Sequence, residues 1–266
     1  MKQRADVWLV TRGMAESREK AQALIMAGQV YVGEKKVLKS SEQLDQDAPL
    51  QVRGGCTDHF ASRGGHKLEK AINTFHADVA GAVAMDIGAA TGGFTDVLLR
   101  HGAAHVYAID VGYGQLDWKL RNDERVTVME RTNARALTLE QFSLQPHLTV
   151  MDVSFISIRL ILPVAAAIMG GDGRFLTLIK PQFEAGRGQV GKNGVVREKE
   201  IHEQVLWEIC VFCPSIGWHV QDLTFSPIKG PAGNIEFLAD IQPGPGEEIT
   251  DGQIAALVQQ AHTELK

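Results

Sequence analysis

The chain has 266 residues, 44% of them hydrophobic, so it can bury the core of one large domain or of two unequal ones. Its net charge of −5 gives no global signal for nucleic acid. The longest apolar run, Leu160 to Met169, is far shorter than the roughly 20 residues that span a bilayer. The first apolar run is also too short for a signal peptide, so the sequence predicts a cytoplasmic protein.

The N-terminal segment combines helical and strand patterns with a basic charge. Ala5, Trp8 and Leu9 have helical spacing, and a strand pattern begins near residue 30. The first 40 residues carry eight Lys/Arg and four Asp/Glu, a net charge of +4, so the remainder carries −9. A basic end on an acidic body is the asymmetry expected of an RNA-contacting domain.

This segment also contains a long motif. From Arg4 to Gly33 it reads R-x-D-x-x-L-x-x-x-G-x-x-x-S-R-x-x-A-x-x-L-I-x-x-G-x-V-x-V-x-G, which resembles the RNA-binding domain of the ribosomal protein S-four type. The resemblance implies a helix pair and a hairpin that present cations to RNA phosphates. The candidates by position are Arg4, Arg12, Arg18, Lys20, Lys35 and Lys36.

Glycine and polar residues near 54–60 predict a boundary between a first domain, residues 1–58, and a second, residues 59–245. Arg63, just inside the second domain, is a further candidate for RNA contact. The segment 246–266 is rich in proline and glycine at its start and only weakly helical afterwards. It is therefore expected to form a C-terminal tail.

The second domain is organised around Met85–Asp96, which reads M-D-I-G-A-A-T-G-G-F-T-D. An apolar run enters it, glycines allow a tight turn, and a helical pattern follows, as at the start of a doubly wound α/β sheet. Ala90 replaces the middle glycine of a dinucleotide motif, which favours a cofactor without a pyrophosphate. About twenty residues later Asp110 ends a second strand pattern, where its carboxylate can accept from ribose hydroxyls.

This stretch resembles the first motif of FtsJ-type S-adenosylmethionine-dependent methyltransferases, D-x-G-A-A-x-G-G-F, with Thr91 where those proteins usually carry proline. The resemblance implies a Rossmann-like, seven-stranded methyltransferase domain that binds S-adenosylmethionine. It assigns to the cofactor Asp86, Gly88, Ala89, Gly92, Gly93, Phe94 and Asp110. Asn133, after the third strand pattern, is assigned to the adenine amino group by its position.

Two other motifs are expected to have no such chemistry. Gly186–Asn193 approaches a phosphate-binding loop, but Asn193 lacks the hydroxyl that would hold magnesium and no helix pattern begins there. We interpret it as a basic loop over the active site. Cys210 and Cys213 form a C-x-x-C inside a helical pattern, with no second pair to complete a zinc site. The sequence therefore predicts reduced thiols and no metal.

Four ionisable residues stand out against apolar surroundings: Lys67, Asp152, Lys180 and Glu236. Asp152 and Lys180 each end a predicted parallel strand, at the edge where such sheets bind ligands. A Lys–Asp–Lys–Glu set in this order resembles that of FtsJ-type ribose 2′-O-methyltransferases. Up to about residue 242 the chain resembles the TlyA-type rRNA methyltransferase family, whose members are often labelled hemolysins, and this implies ribosomal RNA as the partner.

Transfer of a methyl group to a ribose 2′-hydroxyl requires alignment and proton removal, and the four residues can supply both. The hydroxyl must be aligned with the sulfonium methyl and must lose its proton during attack. A lysine amine can accept that proton if burial or a neighbouring positive charge lowers its pKa. We expect Lys180 to lie nearest the hydroxyl, Lys67 to be its positive neighbour, and Asp152 and Glu236 to orient both.

Three alternatives remain open. Amino-group methyltransferases usually carry Asp/Asn-Pro-Pro-aromatic after the fourth strand, whereas Val153 and Ser154 stand here in place of the prolines. A non-catalytic RNA-binding ribosome assembly factor would need only the N-terminal domain. A hemolysin-like membrane-active protein finds little support, because no spanning segment or strongly amphipathic basic helix is visible.

Overall fold

The computed structural model describes residues 2–15, 17–26, 28, 30–33, 35–45, 48–52 and 60–265. The chain folds into two compact units, residues 1–59 and residues 60–266. Each unit has a hydrophobic core of its own.

The first unit is a small α+β domain in which two helices pack with two small sheets. Its elements are β1 Lys2–Arg4, α1 Ala5–Thr11, α2 Arg18–Met26, β2 Val30–Val32, β3 Lys35–Lys36, β4 Gln43–Asp45 and β5 Leu50–Val52. β1 pairs with β4, and β2 pairs with both β3 and β5, all antiparallel. Leu9 and Ile25 from the helices pack on Val30 and Leu50 from the strands, so the helical stripes of the sequence face this core.

The second unit is built on a seven-stranded sheet. Its strands are β6 Val83–Ile87, β7 His105–Ile109, β8 Val126–Met129, β9 Leu148–Met151, β10 Arg174–Ile179, β11 Trp218–Phe225 and β12 Phe237–Pro243. Their order is β11-β12-β10-β9-β6-β7-β8, and β12 runs antiparallel to both of its neighbours. This confirms the predicted Rossmann-like, seven-stranded α/β architecture behind a small α+β domain.

The strand order reverses beside β6. The chain proceeds from β6 to β7 and β8 on one side, and β9 and β10 then add to the other side. Open α/β sheets bind ligands at such a switch point, beyond the carboxyl ends of their parallel strands. The glycine turn that follows β6 therefore lies where a cofactor is expected.

Helices cover both faces of this sheet, which explains why its strands read as continuous apolar runs. The helices are α3 Gly65–Thr74, α4 Gly93–Arg100, α5 Trp118–Arg121, α6 Leu162–Met169, α7 Pro181–Glu184, α8 Lys199–Phe212 and α9 Asp251–Glu264. Apolar residues of α3, α4 and α5 form one core, and those of α6, α8 and α9 form the other.

Two elements differ from the sequence-based expectations. The segment expected to be a tail, residues 246–266, contains α9, which buries Ile254, Val258 and Ala261 in the core of the second unit. Its interrupted apolar stripe is stabilised by packing on α8 rather than by propensity. The sequence pattern predicts the last strand at about residues 234–241, with Glu236 inside it, whereas the strand begins at Phe237 and Glu236 directly precedes it.

Candidate active site

The turn after β6 is glycine-rich because other parts of the chain approach it closely. Gly88 and Gly92 adopt φ values of +89° and +91°, in the left-handed region that favours glycine. A methyl group at Gly88 would lie 2.5 Å from the carbonyl oxygen of Asp152. One at Gly93 would lie 2.3 Å from the Ser62 hydroxyl oxygen. The turn therefore contacts the segments before Lys67 and around Asp152.

Asp86 is fully buried at the end of β6. Its Oδ2 accepts a 2.6 Å hydrogen bond from the Thr95 hydroxyl, in the first turn of α4, and burial raises its pKa to about 7. Its Oδ1 is buried with no hydrogen-bond partner among the described residues. The sequence analysis missed Thr95, although a hydroxyl at the start of the helix after the turn is a usable signal. Asp86 fixes the turn against α4 and keeps one acceptor available.

Asp110 lies at the tip of β7, next to the same turn. Its Oδ2 accepts from the Ala90 N–H at 2.9 Å and its Oδ1 from the Gly112 N–H at 2.7 Å. Each carboxylate oxygen has two acceptor sites, so a ribose diol can still bind there. A narrow cavity between the turn and β8 is lined by Ala89, Ala90, Asp110, Gly112, Leu116 and Val128.

Two further residues assigned to the cofactor, Phe94 and Asn133, do not line this cavity. Phe94, in the first turn of α4, is buried in the core that α3, α4 and α5 share, and its contact with the cofactor remains a prediction. Asn133 is exposed and its Oδ1 accepts from the Arg135 N–H at 3.1 Å. The Thr132 N–H donates to the Asp110 carbonyl oxygen at 2.9 Å, which brings the Asn133 segment beside Asp110. A positive-φ turn, a free buried acceptor and an acid beyond β7 suit a nucleoside cofactor without a pyrophosphate.

Sheet direction brings the four candidate catalytic residues to one edge. Asp152 follows β9 and Lys180 follows β10, and these strands are parallel neighbours. Glu236 precedes β12, which is antiparallel, so the start of β12 lies at the carboxyl edge of β10. Lys67 reaches this edge from the first turn of α3.

The four side chains form one connected cluster of charges. Lys67 Nζ lies 2.7 Å from Glu236 Oε2 and 3.2 Å from Asp152 Oδ2. Lys180 Nζ lies 2.5 Å from Asp152 Oδ1. The Glu236 side chain is only 1% exposed, whereas that of Asp152 is 19% exposed. The charges of two ammonium groups and two carboxylates cancel, which buried charges require. The cluster is open to solvent on the Asp152 side.

Two neutral residues that the sequence analysis did not single out complete this cluster. Lys180 Nζ donates to the Ser154 hydroxyl oxygen at 3.0 Å, and the Gln182 amide donates to Glu236 Oε1 at 3.4 Å. Both stand two residues after a catalytic candidate that ends a strand. The segments D-V-S-F and K-P-Q-F therefore supply the second hydrogen-bonding layer.

Exposed aromatic rings follow the ends of two parallel strands, and one of them, Phe155, is in the segment that carries Asp152. Phe155 is 92% exposed and adopts a φ of +64°, which is unusual for a bulky residue. Its ring centroid lies 5.0 Å from that of Phe183, in the turn after Lys180. Tyr113 is also exposed, and the Arg131 guanidinium lies 4.2 Å from its ring centroid. These rings are suited to stacking on a base.

The N-terminal candidates for RNA contact differ in their surroundings. Arg4 and Arg18 both bind the buried carboxylate of Asp6, and the Arg4 hydrogen bond is the main cause that holds the Asp6 pKa well below its usual range. These two arginines therefore also stabilise their own domain. Lys35 and Lys36 are exposed on β3.

The other basic candidates make local contacts. Arg12 donates to the Ala48 carbonyl oxygen at 2.9 Å and lies over the Trp8 ring. Lys20 is exposed in the first turns of α2. Arg63, in the second unit, is exposed and donates to the Lys229 carbonyl oxygen at 3.2 Å. These cations remain predictions as RNA contacts.

The weaker motifs behave as structural segments. The end of the glycine-rich segment after residue 186 is held by Asn234. The Asn234 side chain accepts from the Val196 N–H and donates to the Gly194 carbonyl oxygen, each at 2.9 Å. No α-helix follows this segment before Lys199. Burial raises the pKa of Cys210 to about 11 and that of Cys213 to about 12, so both thiols stay protonated at neutral pH.

No group of three potential metal-ligating side chains occurs within the part of the chain that the structure describes. Within that same part, no helix is both long and apolar enough to span a bilayer.

The family model for FtsJ-like methyltransferases matches residues 60–241, which span the sheet, the glycine turn and all four charged residues. The chain belongs to the FtsJ-like methyltransferase family. In front of this match, the model of the S4 domain covers residues 3–48.

Relatives share both parts of this FtsJ-like methyltransferase. It is 49% identical to YqxC of Bacillus subtilis, over all of this chain and 96% of that protein. It is 44% identical to the 16S/23S rRNA (cytidine-2′-O)-methyltransferase TlyA of Mycobacterium tuberculosis, over 88% of this chain and 87% of that one. A solved structure titled as a hemolysin, from Streptococcus thermophilus, has 45% identity and a TM-score of 0.78, over 99% and 96% of the chains. The resemblance to the TlyA and hemolysin family is thereby confirmed.

Proposed function

We propose that this FtsJ-like methyltransferase transfers a methyl group from S-adenosylmethionine to a ribose 2′-hydroxyl of ribosomal RNA in the cytoplasm. The observation that carries the proposal is the Lys67–Asp152–Lys180–Glu236 cluster beside the glycine turn. The 2.5 Å approach of a Gly88 methyl group to the Asp152 carbonyl oxygen shows how closely the two are packed. The relative from M. tuberculosis is named for this reaction on cytidine.

The cofactor would be held by the turn after β6. Gly88 and Gly92 keep the backbone free for close approach, Asp86 Oδ1 offers a buried acceptor, and the Asp110 carboxylate would accept from a ribose diol. Bound there, S-adenosylmethionine supplies an electrophilic methyl group on a sulfonium. The raised pKa of Asp86 leaves this carboxyl able to donate or accept near neutral pH.

The charge cluster then prepares the nucleophile. Lys180 Nζ is held by Asp152 and Ser154. Once it has given up its own proton and is a neutral amine, it would accept the proton of the 2′-hydroxyl and so activate that oxygen toward the methyl group. Lys67 holds Asp152 in place from the other side and adds positive charge near Lys180. Glu236 neutralises Lys67, so the cluster can stay buried.

RNA would approach along the carboxyl edge of the sheet. Exposed rings and cations follow successive strands there, and they are Tyr113, Trp118, Arg131, Arg135 and Phe155. Aromatic side chains stack on unpaired bases, and arginines neutralise phosphates. We assign Phe155 to the base of the target nucleotide, because its ring is the most exposed of these and lies closest along the chain to Asp152.

The N-terminal S4 domain would supply further affinity for structured RNA, with the exposed Lys35 and Lys36 as its clearest candidates. Phosphate contacts of this kind position a substrate without reading its bases. Removal of both charges should weaken binding and reduce its dependence on salt.

Mass spectrometry of nuclease fragments, after incubation of ribosomal subunits with the enzyme and isotopically labelled S-adenosylmethionine, tests the proposal. The label is expected on a ribose, and Lys180→Ala should slow its transfer by about 10²–10⁴-fold. Lys199→Ala is the matched control, since Lys199 donates to Gln259 at 2.6 Å and bonds to none of the four charged residues of the cluster. Label on a base, or full activity of Lys180→Ala, would contradict the proposed reaction.

A second candidate is a lytic protein, because a similar solved structure carries a hemolysin title. Leakage of dye from liposomes measures this directly. If leakage is absent while RNA is methylated, the hemolysin label does not describe the molecular activity. A Lys180→Ala variant that still fulfils the cellular role would instead favour a non-catalytic assembly factor.

A further inference from the structure

Two loops that carry catalytic candidates are joined by a buried carboxylate. Glu184 ends the turn that begins at Lys180, and Ser157 and Ile158 follow Asp152 along the other loop. Glu184 Oε2 accepts from the Ser157 hydroxyl at 2.6 Å, and its Oε1 accepts from the Ile158 N–H at 2.8 Å. Glu184 thus bonds directly to the loop that carries Asp152.

Arg159 closes the same junction. Its Nη2 donates to the Glu184 backbone oxygen at 3.2 Å, its Nε lies 3.5 Å from Glu184 Oε2, and its Nη1 donates to Glu208 on α8 at 3.1 Å. One guanidinium therefore fixes both the backbone and the carboxylate of Glu184.

Stability alone is a poor explanation for this carboxylate. The Glu184 side chain is 2% exposed, and burial raises its pKa although its hydrogen bonds oppose that shift. When folding raises the pKa of a carboxyl, ionisation of that carboxyl lowers the free energy of unfolding. At neutral pH the charge of Glu184 therefore destabilises the fold. An amide in this place would still accept from the Ile158 N–H and could donate to Ser157 without that cost, although it would lose the ion pair with Arg159.

The loop after Asp152 and the loop after Lys180 contact each other at several successive residues. Lys180 bonds to Asp152 and Ser154, the Phe183 ring contacts Phe155, and Glu184 comes last. The position of Lys180 Nζ relative to the Asp152 carboxylate therefore depends on how far apart the loops are held.

We propose that Glu184 is a positioning residue, which sets the geometry of Lys180 and Asp152 and the alignment of Phe155 by joining their two loops. The inference rests on the proposed methyl transfer. Misplacement of reacting groups by about 1 Å can cost about 100-fold in rate. Glu184 should therefore affect kcat, although its carboxylate bonds to none of the four charged residues.

Methyl-transfer kinetics of Glu184→Ala and Glu184→Gln, measured on the full chain with ribosomal subunits, test the inference. Ala removes both acceptors, whereas Gln keeps an oxygen for the Ile158 N–H and an amide that can donate to Ser157. We expect kcat to fall about 10–100-fold in Glu184→Ala, with KM for S-adenosylmethionine within twofold of wild type. Glu184→Gln should recover kcat to within a few fold.

Asp240→Ala is the matched control. Asp240 is a carboxylate of similar burial that accepts two 2.8 Å hydrogen bonds from Arg174, at the first residue of β10, away from the catalytic edge. Its loss should lower the melting temperature and leave kcat within a few fold of wild type.

Three results would overturn the inference: an unchanged kcat in folded Glu184→Ala, an equal loss of kcat in Asp240→Ala, or no recovery in Glu184→Gln. The last would mean that the charge of Glu184 acts rather than its geometry. Failure of the proposed function is separate, since it would show as wild-type label on a site other than a ribose.

Discussion

Removal of Lys67 should separate the stability of the charge cluster from its catalysis. Lys67→Met takes away the 2.7 Å partner of Glu236, whose side chain is 1% exposed. Among the residues that the structure describes, the 3.4 Å hydrogen bond from Gln182 is then the one that remains to that carboxylate. Leaving one member of a buried ion pair alone costs about 3–5 kcal/mol. In a domain of this size, that loss lowers the melting temperature by roughly 6–20 °C.

The double variant Lys67→Met/Glu236→Gln removes both charges and should recover most of this stability. It should not recover methyl transfer, because Asp152 still lacks its second ammonium partner. Urea unfolding gives the free energy of each variant, and transfer of labelled methyl groups to ribosomal subunits gives the activity. If Lys67→Met is as stable as wild type, or if the double variant regains activity, the account of this cluster is wrong.

Three further variants probe the turn, the aromatic edge and the buried acid. Gly88→Ala should abolish activity and cost about 1–3 kcal/mol of strain, because residue 88 has a φ of +89° and the added methyl group would clash with the Asp152 carbonyl oxygen. Unchanged cofactor affinity by calorimetry would refute this. Phe155→Ala should raise KM for RNA about tenfold through lost stacking, with cofactor binding as the internal control. Asp86 has a pKa of about 7 in the folded state against 3.8 in the unfolded state. The free energy of unfolding of the wild type should therefore fall as the pH rises from about 4 to about 7, and Asp86→Asn should show no such fall in urea titrations.

The parallel strands could be predicted almost to the residue. Val83–Ile87 and Leu148–Met151 are short apolar runs bounded by polar or turn residues, and the structure has the same bounds. Burial on both faces leaves few alternatives for such runs. From the strand ends it followed that Asp152 and Lys180 reach the same edge.

The other residues of the site could not be predicted from residue spacing in the sequence. Glu236 reaches the catalytic edge only because β12 is reversed, and no local pattern reports the direction of a strand. Lys67 was assigned from the family resemblance. Glu184 and Thr95 are polar residues with no sequence pattern that reports their burial, since only tertiary packing buries them. Helix α9 was underestimated for the same reason, because its stability comes from α8.

The hydrogen bond between Lys67 and Glu236 joins residues 169 positions apart. During synthesis, Lys67 leaves the ribosome long before the residue that neutralises it. The last strand pair must emerge and insert beside β10 before the two can meet. An incomplete chain therefore has no assembled charge cluster, and any activity that depends on this cluster must wait for the last strand pair.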